Sequence, residues 1–229
     1  MPAQPPMPGA IEVDAVLLDM DGTLVDSTRV VEHLWKQFAA RFGIELTELL
    51  AYAHGRQTRD TIARFLPDGH DLASVTADFE RRELVETRGI AEVAGARRLL
   101  HALAHAQVAL VTSAPRALAE VRMSAAGIPI RTVAVCGEDV VRGKPDPEGY
   151  ETAARRLGTQ PGRCLVIEDA EAGIRAGIAA GADVLVVGDH TSTTTTALPR
   201  VADLTAIAVT TLGDRVRLGW NQPNVRTHA

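Results

Sequence analysis

The sequence predicts a doubly wound α/β fold, a parallel sheet with helices packed on both faces. Five short runs, at 13–18, 108–112, 132–136, 164–167 and 184–187, are apolar almost throughout and rich in β-branched residues. Strands of a parallel sheet covered on both faces read this way, rather than alternating. Segments of helical periodicity separate the later four runs, and strand–helix alternation builds a parallel sheet. The first run ends in Asp19-Met20-Asp21-Gly22-Thr23, where the carboxyl end of a strand would open onto a ligand crevice.

Taken along the chain, residues 1–10 are Pro-rich and uncharged and read as a floppy tail, with none of the basic and apolar regions of a secretory leader. The run 13–18 is the first strand. From 29 to 90 the alternation breaks and no strand is evident. Val30, Val31, Leu34, Trp35, Phe38 and Phe42 recur at helical spacing, as do Ile62, Phe65 and Leu66, and Leu84 and Val85 close a third helical pattern. This stretch reads as a helical insert with Trp35 and Phe38 in its packing core. An insert beside a reactive strand end is placed to act as a lid. The expected division is therefore a core of residues 1–28 and 91–229 and an inserted domain of residues 29–90.

A helix over 96–105 precedes the second strand. The next covers 115–126, with Pro115 suited to a first turn and Gly127 to a stop. Helices over 148–157 and 172–180 fill the remaining gaps, the latter ended by Gly181. Residues 191–196 form a threonine-rich loop expected at the surface, and 220–229 read as a frayed tail.

Composition bounds the function. The 229 residues, 46% of them apolar, suffice for one large domain or a core plus a small one. A net charge of −5 argues against nucleic acid as a partner. No apolar stretch is long enough to span a bilayer. Cys136 and Cys164 both lie in apolar runs and read as reduced core residues of a cytoplasmic protein. A small-molecule substrate and a monomeric or homodimeric protein are expected.

Asp19 and Asp21, two residues apart at a strand end, can face one reaction centre. Close carboxylates repel, so the pair needs a cation, a shared proton, or both. Asp-Gly is also a common turn, which would explain Asp21 and Gly22 but leaves Asp19 unexplained. Thr112-Ser113 follow the second strand, where a hydroxyl and a free N–H suit an anionic oxygen. An N-cap would look the same. Lys144 lies in Gly143-Lys144-Pro145-Asp146-Pro147 and is one of only two lysines among 24 basic residues, the other being Lys36. It is either a solvated surface lysine or an ammonium placed to neutralise a phosphate and a carboxylate. Glu168-Asp169 follow the fourth strand. More carboxylates again call for a cation, and oxygen ligands with no His or Cys cluster nearby favour Mg²⁺ over zinc. Either acid alone could be an N-cap. Carboxylates, a lysine, hydroxyls and Mg²⁺ together suit a phosphoryl group. No Gly-x-x-x-x-Gly-Lys-Ser/Thr loop is present, which disfavours a nucleotide kinase.

Asp-x-Asp-Gly-Thr, Thr-Ser, Gly-Lys-Pro-Asp-Pro and Glu-Asp-Ala-x-Ala-Gly-Ile-x-Ala-Gly, in that order from about residue 13 to 211, resemble the haloacid dehalogenase superfamily of hydrolases. The resemblance implies a Rossmann-like core and makes the insert a helical-bundle cap domain. It implies that Asp19 attacks phosphorus to form an aspartyl-phosphate. Asp21 protonates the leaving oxygen and then activates water. Thr112 and the Ser113 N–H hold phosphate oxygens, and Lys144 bridges phosphate and Asp19. Asp19, the Asp21 carbonyl and Asp169 bind Mg²⁺, with Glu168 acting through a metal-bound water. Dehalogenases and phosphonoacetaldehyde hydrolases lack the second aspartate, and the latter use a cap lysine for which Lys36 is poorly placed. In β-phosphoglucomutases a cap arginine grips a second phosphate. The corresponding position here is Thr58, although Arg56 or Arg59 could substitute, so a mutase stays an alternative. A non-catalytic binding protein on the same fold is another.

Residues 54–66, 107–113 and 143–150 are most similar to the glycerol-phosphate and 2-deoxyglucose-6-phosphate phosphatases, which implies a small sugar or polyol phosphate. His54, Arg56 and Gln57 are candidates for contacts to substrate hydroxyls or are solvated cap residues. Because Asp21 must be protonated in one step and ionised in the next, a pH–rate profile for phosphate release should be bell-shaped, and a profile flat from pH 4 to 10 would remove Asp21 from both roles.

Overall fold

The computed structural model describes residues 9–104, 106–130 and 133–221. The chain opens with two strands, β1 (Gly9–Val13) and β2 (Ala15–Leu18), separated by Asp14. A short strand β3 (Val25–Asp26) leads into helices α1 (Thr28–Phe42), α2 (Leu46–Ala53), α3 (Thr58–Phe65) and α4 (Leu72–Val85). Another short strand, β4 (Ala91–Glu92), leads out and pairs antiparallel with β3, so the chain enters and leaves the helical insert side by side. Then come α5 (Ala96–Ala102), β5 (Gln107–Val111), α6 (Arg116–Ala125), β6 (Val133–Val135) and α7 (Glu148–Arg156). The chain continues through β7 (Cys164–Glu168), α8 (Glu171–Ala179), β8 (Asp183–Val187), β9 (Arg200–Val201), β10 (Ile207–Leu212) and β11 (Arg215–Trp220).

Among the described residues, six strands form a parallel sheet in the order β6-β5-β2-β7-β8-β9. The middle strand β2 is buried along its whole length, which is why its residues carry no alternation. Leu18 at its end stands level with Leu110 of β5 on one side and Ile167 of β7 on the other. Chain order runs outward from β2 in both directions, so the crevice beyond these three strand ends is a topological switch point. That is the doubly wound α/β, Rossmann-like architecture expected. The insert is helical, as expected. Trp35 packs against Phe79 with ring centroids 4.2 Å apart, and Leu34, Leu49 and Ile62 are fully buried beside them. No helix among the described residues is long and apolar enough to cross a membrane.

Several boundaries differ from the sequence reading. The run 13–18 is two elements, because Asp14 bonds through its N–H to the Arg163 carbonyl and turns the chain from one sheet into another. That second sheet, antiparallel and in the order β1-β11-β10, was not foreseen. It claims Gly9 and Ala10 from the presumed leading tail and Trp220 from the presumed trailing one. Residues 1–8 and 222–229, on which the tail readings also fell, lie outside the described residues. So do His105 and Thr132, at the ends of an expected helix and strand. The signal for β11 was present: Val216, Leu218 and Trp220 are buried while Arg215 and Arg217 are exposed, the period-two pattern of a strand with one wet face. Gly213, at φ 64°, supplies the left-handed residue of the two-residue loop joining β10 and β11. The 191–196 loop is not wholly exposed either. Thr195 is buried, and Ser192 and Thr194 donate to Glu171 at 2.7 and 2.6 Å. Both cysteines are free and buried, as expected.

If Trp220 is part of the core, Trp220→Ala should lower unfolding free energy by about 3 kcal/mol in urea titration. An unchanged midpoint would mean that the chain end is frayed after all.

Candidate active site

Three strand ends and one loop supply the site. Asp19 leaves β2, Thr112 and Ser113 leave β5, and Glu168 and Asp169 stand at the end of β7. Lys144 comes from the loop between β6 and α7. Its ammonium reaches across all of them, donating to Asp19 Oδ1 at 2.5 Å, Glu168 Oε1 at 2.7 Å and the Val111 carbonyl at 3.1 Å. The isolated lysine is thus buried and ion-paired, not a solvated surface group.

Glu168 is fully enclosed. Besides Lys144, Oε1 accepts from the Tyr150 hydroxyl at 2.9 Å, and Oε2 accepts the Asp169 and Ala170 N–H groups at 3.0 and 3.1 Å. A carboxylate has about four lone-pair sites, and these four donors take them. Glu168 therefore holds Lys144 and contributes charge to the crevice. Gly173 makes room for it: a Cβ there would lie 1.5 Å from Glu168 Oε1.

The turn after β2 is wound on one atom. The Met20 carbonyl accepts from the N–H groups of Thr23, Leu24 and Val25, and the Gly22 N–H bonds to the Val25 carbonyl. Gly22 has φ 87°, and a Cβ there would meet Asp169 Oδ2 at 1.9 Å, so both its dihedral and its closeness to Asp169 require glycine. The Thr23 hydroxyl donates to Asp169 Oδ1 at 3.2 Å. The turn thereby seats Asp21 across the cavity from Asp169. Ser27 donates to Asp21 Oδ1 at 2.6 Å and Arg122 Nη1 to Oδ2 at 2.8 Å.

The electrostatics point to a cation. Carboxylate oxygens of Asp19, Glu168 and Asp169 lie within 4.8 Å of one another, faced by one ammonium. Burial and the charge of Glu168 push the Asp19 carboxyl up to about 8, against the pull of Lys144. Burial, then Glu168 and Asp19, hold Asp169 well above the usual carboxylate range. Burial alone would lower Lys144, but Asp19 and Glu168 outweigh it and keep the ammonium charged. Three acids with one base are short of positive charge, and a divalent cation among their oxygens would supply it. The donors are all oxygens, which fits Mg²⁺.

Thr112 is buried with its hydroxyl accepting from the Ala114 N–H at 3.1 Å. The Ser113 hydroxyl donates to the Gly55 carbonyl of the insert at 2.8 Å, which leaves its N–H as the group that can face an anion. Of the insert candidates, His54 and Arg56 line the cavity beside Asp19 and Asp21. Arg56 also lies 4.3 Å over the Tyr52 ring. Gln57 donates to the Gly137 carbonyl at 3.0 Å and lines a smaller cavity with Thr112, Ser113 and Lys144 rather than either of the two that reach Asp169. Arg59 and Lys36 are exposed and line neither.

Sequence reasoning missed Ser27, Glu83, Arg122 and Tyr150. Arg122 carried a readable signal. It lies four residues after Leu118 and beside Met123 on the buried stripe of α6, where a charged residue needs a buried partner. Its partners, Asp21 and Glu83, are 101 and 39 residues away, and no local pattern names them.

Comparison with known proteins supports the sequence motifs. The haloacid dehalogenase-like hydrolase family matches residues 13–181. Hexitol phosphatase A of Escherichia coli (strain K12) is 42% identical over 176 residues, 75% of this chain and 81% of that protein. 2-Deoxyglucose-6-phosphate phosphatase 2 of Saccharomyces cerevisiae is 33% identical over 193 residues, 74% of this chain and 78% of that protein. The crystal structure of CbbY from Rhodobacter sphaeroides in complex with phosphate superposes with a TM-score of 0.71 at 24% identity, covering 84% of this chain and 95% of that one.

Removing Lys144 would leave the acids facing one another. Lys144→Met should cost about 3–5 kcal/mol of unfolding free energy in urea with EDTA present. A loss under 1 kcal/mol would show that the ammonium does not hold this cluster together.

Proposed function

This chain belongs to the haloacid dehalogenase-like hydrolases, and we propose that it is a Mg²⁺-dependent phosphatase of small sugar or polyol phosphomonoesters, acting through an aspartyl-phosphate on Asp19. One observation carries the reading: the buried Lys144 ammonium sits 2.5 Å from Asp19 and 2.7 Å from Glu168, in a crevice shared with Asp169, Thr112 and Ser113. A phosphomonoester dianion meets a carboxylate nucleophile only where positive charge shields it. The substrate class rests on relatives that act on a hexitol phosphate and on a deoxysugar phosphate, together with the polar cavity beside Asp21.

In the first step a carboxylate oxygen of Asp19 bonds to phosphorus and the bond to the leaving oxygen breaks. Asp21 gives that oxygen its proton. In the second, Asp21 takes a proton from water, the water oxygen bonds to phosphorus, and the Asp19–phosphorus bond breaks to free inorganic phosphate. Lys144 neutralises Asp19 and a phosphoryl oxygen. The Thr112 hydroxyl and the Ser113 N–H orient the other oxygens. Asp19, Asp169 and the Asp21 carbonyl would hold Mg²⁺, with the Glu168 charge behind them. When bound, Mg²⁺ draws charge from the phosphoryl oxygens and so lets the nucleophile approach. Ser27 and Arg122 fix both oxygens of Asp21, so its proton is aimed rather than free to swing.

We take residues 29–90 as a cap domain over a core of residues 1–28 and 91–229. The loop carrying His54, Gly55, Arg56 and Gln57 touches the core beside Ser113, Gly137 and Lys144, which places the insert to limit water at Asp19 until the aspartyl-phosphate forms. A mutase fits less well. Thr58, where the second phosphate would be gripped, donates to the Glu83 carboxylate at 3.0 Å, and a carboxylate repels a dianion. Two buried free thiols suit a reducing, cytoplasmic setting.

The test is phosphate release from hexitol, glycerol, deoxysugar and nucleotide monophosphates. Release from the sugar or polyol esters with Mg²⁺, falling at least about 10³-fold with EDTA or in Asp19→Asn, is expected. Turnover that survives Asp19→Asn would overturn the mechanism.

A further inference from the structure

Beyond Asp21, on the side away from Lys144, the cavity wall is neither apolar nor open. Arg122 and Glu83 form a buried ion pair there, each with about 5% of its side chain exposed. Arg122 Nη2 donates to Glu83 Oε1 at 2.8 Å while Nη1 holds Asp21 Oδ2. Thr58 donates to the other Glu83 oxygen at 3.0 Å. Resting on the phosphatase reading above, we infer that Glu83 and Arg122 recognise a hydroxyl of the leaving group, on the carbon next to the ester.

Position is the first argument. The leaving oxygen must face Asp21, whose proton it takes. The carbons attached to that oxygen then enter the part of the cavity lined by Arg122, Glu83, Thr58 and Trp35. This cavity has a volume of about 90 Å³. A second cavity of about 770 Å³ shares Gly22, Thr28, His54, Arg56 and Asp169 with it and gives a longer chain its way out.

Chemistry is the second. A hydroxyl donates one hydrogen bond and accepts others. Glu83 accepts one hydrogen bond on each oxygen and keeps a further lone pair on both. Arg122 has five N–H donors, and Nη1 and Nη2 spend one each on Asp21 and Glu83, which leaves each a second N–H. Acceptor and donor therefore stand together. Energetics is the third. An ion pair this dry is seldom more stable than apolar side chains of the same size, and Trp35, Val31 and Leu118 line the same cavity. A purely structural contact between α4 and α6 would be served by more of those.

The inference sets a selectivity. A site that pairs its buried polar groups with a hydroxyl rejects the analogue that lacks it. The experiment compares kcat/KM for glycerol 1-phosphate and n-propyl phosphate, which share a carbon skeleton, in the wild type, Glu83→Gln and Thr58→Val. The wild type should favour the polyol ester by at least about 100-fold. Glu83→Gln should cut that preference at least about tenfold, and Thr58→Val several-fold. Equal turnover of both esters by the wild type overturns the inference. So does a Glu83→Gln enzyme that slows both esters by the same factor, since a structural pair would act on both alike. Should Glu83→Gln lose its thermal melting transition, the ratio in Thr58→Val decides. A wild type that releases phosphate from no ester at all overturns the phosphatase reading itself, and this inference with it.

Discussion

A single ammonium must hold two buried carboxylates together beside a third, half-buried one, and most of the site follows from that requirement. Lys144 can stay charged inside the protein only because Asp19 and Glu168 face it. Glu168 is enclosed without exposure, and four donors converge on its two oxygens. Gly173 and Gly22 are small where they are because Glu168 and Asp169 occupy the space a Cβ would need. The positive charge is still fewer than the acids, and the proposed divalent cation and phosphoryl group would meet that imbalance.

The sheet makes such a cluster possible. Burial on both faces keeps β2, β5 and β7 apolar toward their carboxyl ends, so the first polar residues there emerge within one residue of the same level. Asp19, Thr112 and Glu168 meet for that reason, although they are distant in sequence. The insert then closes the open side. Asp21 belongs to both parts: Ser27, at the entrance to the insert, holds one oxygen, and Arg122 of the core holds the other while gripping Glu83 of α4. The position of the proposed acid/base thus depends on the insert being seated, which couples water exclusion to proton transfer.

Much of this was legible in the sequence. The strand runs, the helical insert and the residues at the strand ends were readable because each is a local pattern: an apolar run, a helical period, a polar cluster at a run's end. What escaped depends on distance. The antiparallel sheet pairs Gly9 with Trp220, and each looked like part of a tail when read alone. Tyr150 and Arg122 act through partners that topology alone brings near. Gln57 bonds to the core carbonyl of Gly137, 80 residues away, a contact that no local pattern names. Arginine on the buried stripe of α6 and the alternation along β11 are the two features that a stricter reading of periodicity marks.

Covalent capture by Asp19 is the claim on which the account rests. The most direct measurement is mass spectrometry of the Asp21→Asn variant, acid-quenched during turnover of an aryl phosphate whose leaving group needs no proton. The account predicts a phosphoryl adduct on the peptide that contains Asp19, because the attack proceeds while the step that needs a base at residue 21 is slowed. Release of the phenol with no adduct, or an adduct on a different peptide, would contradict it.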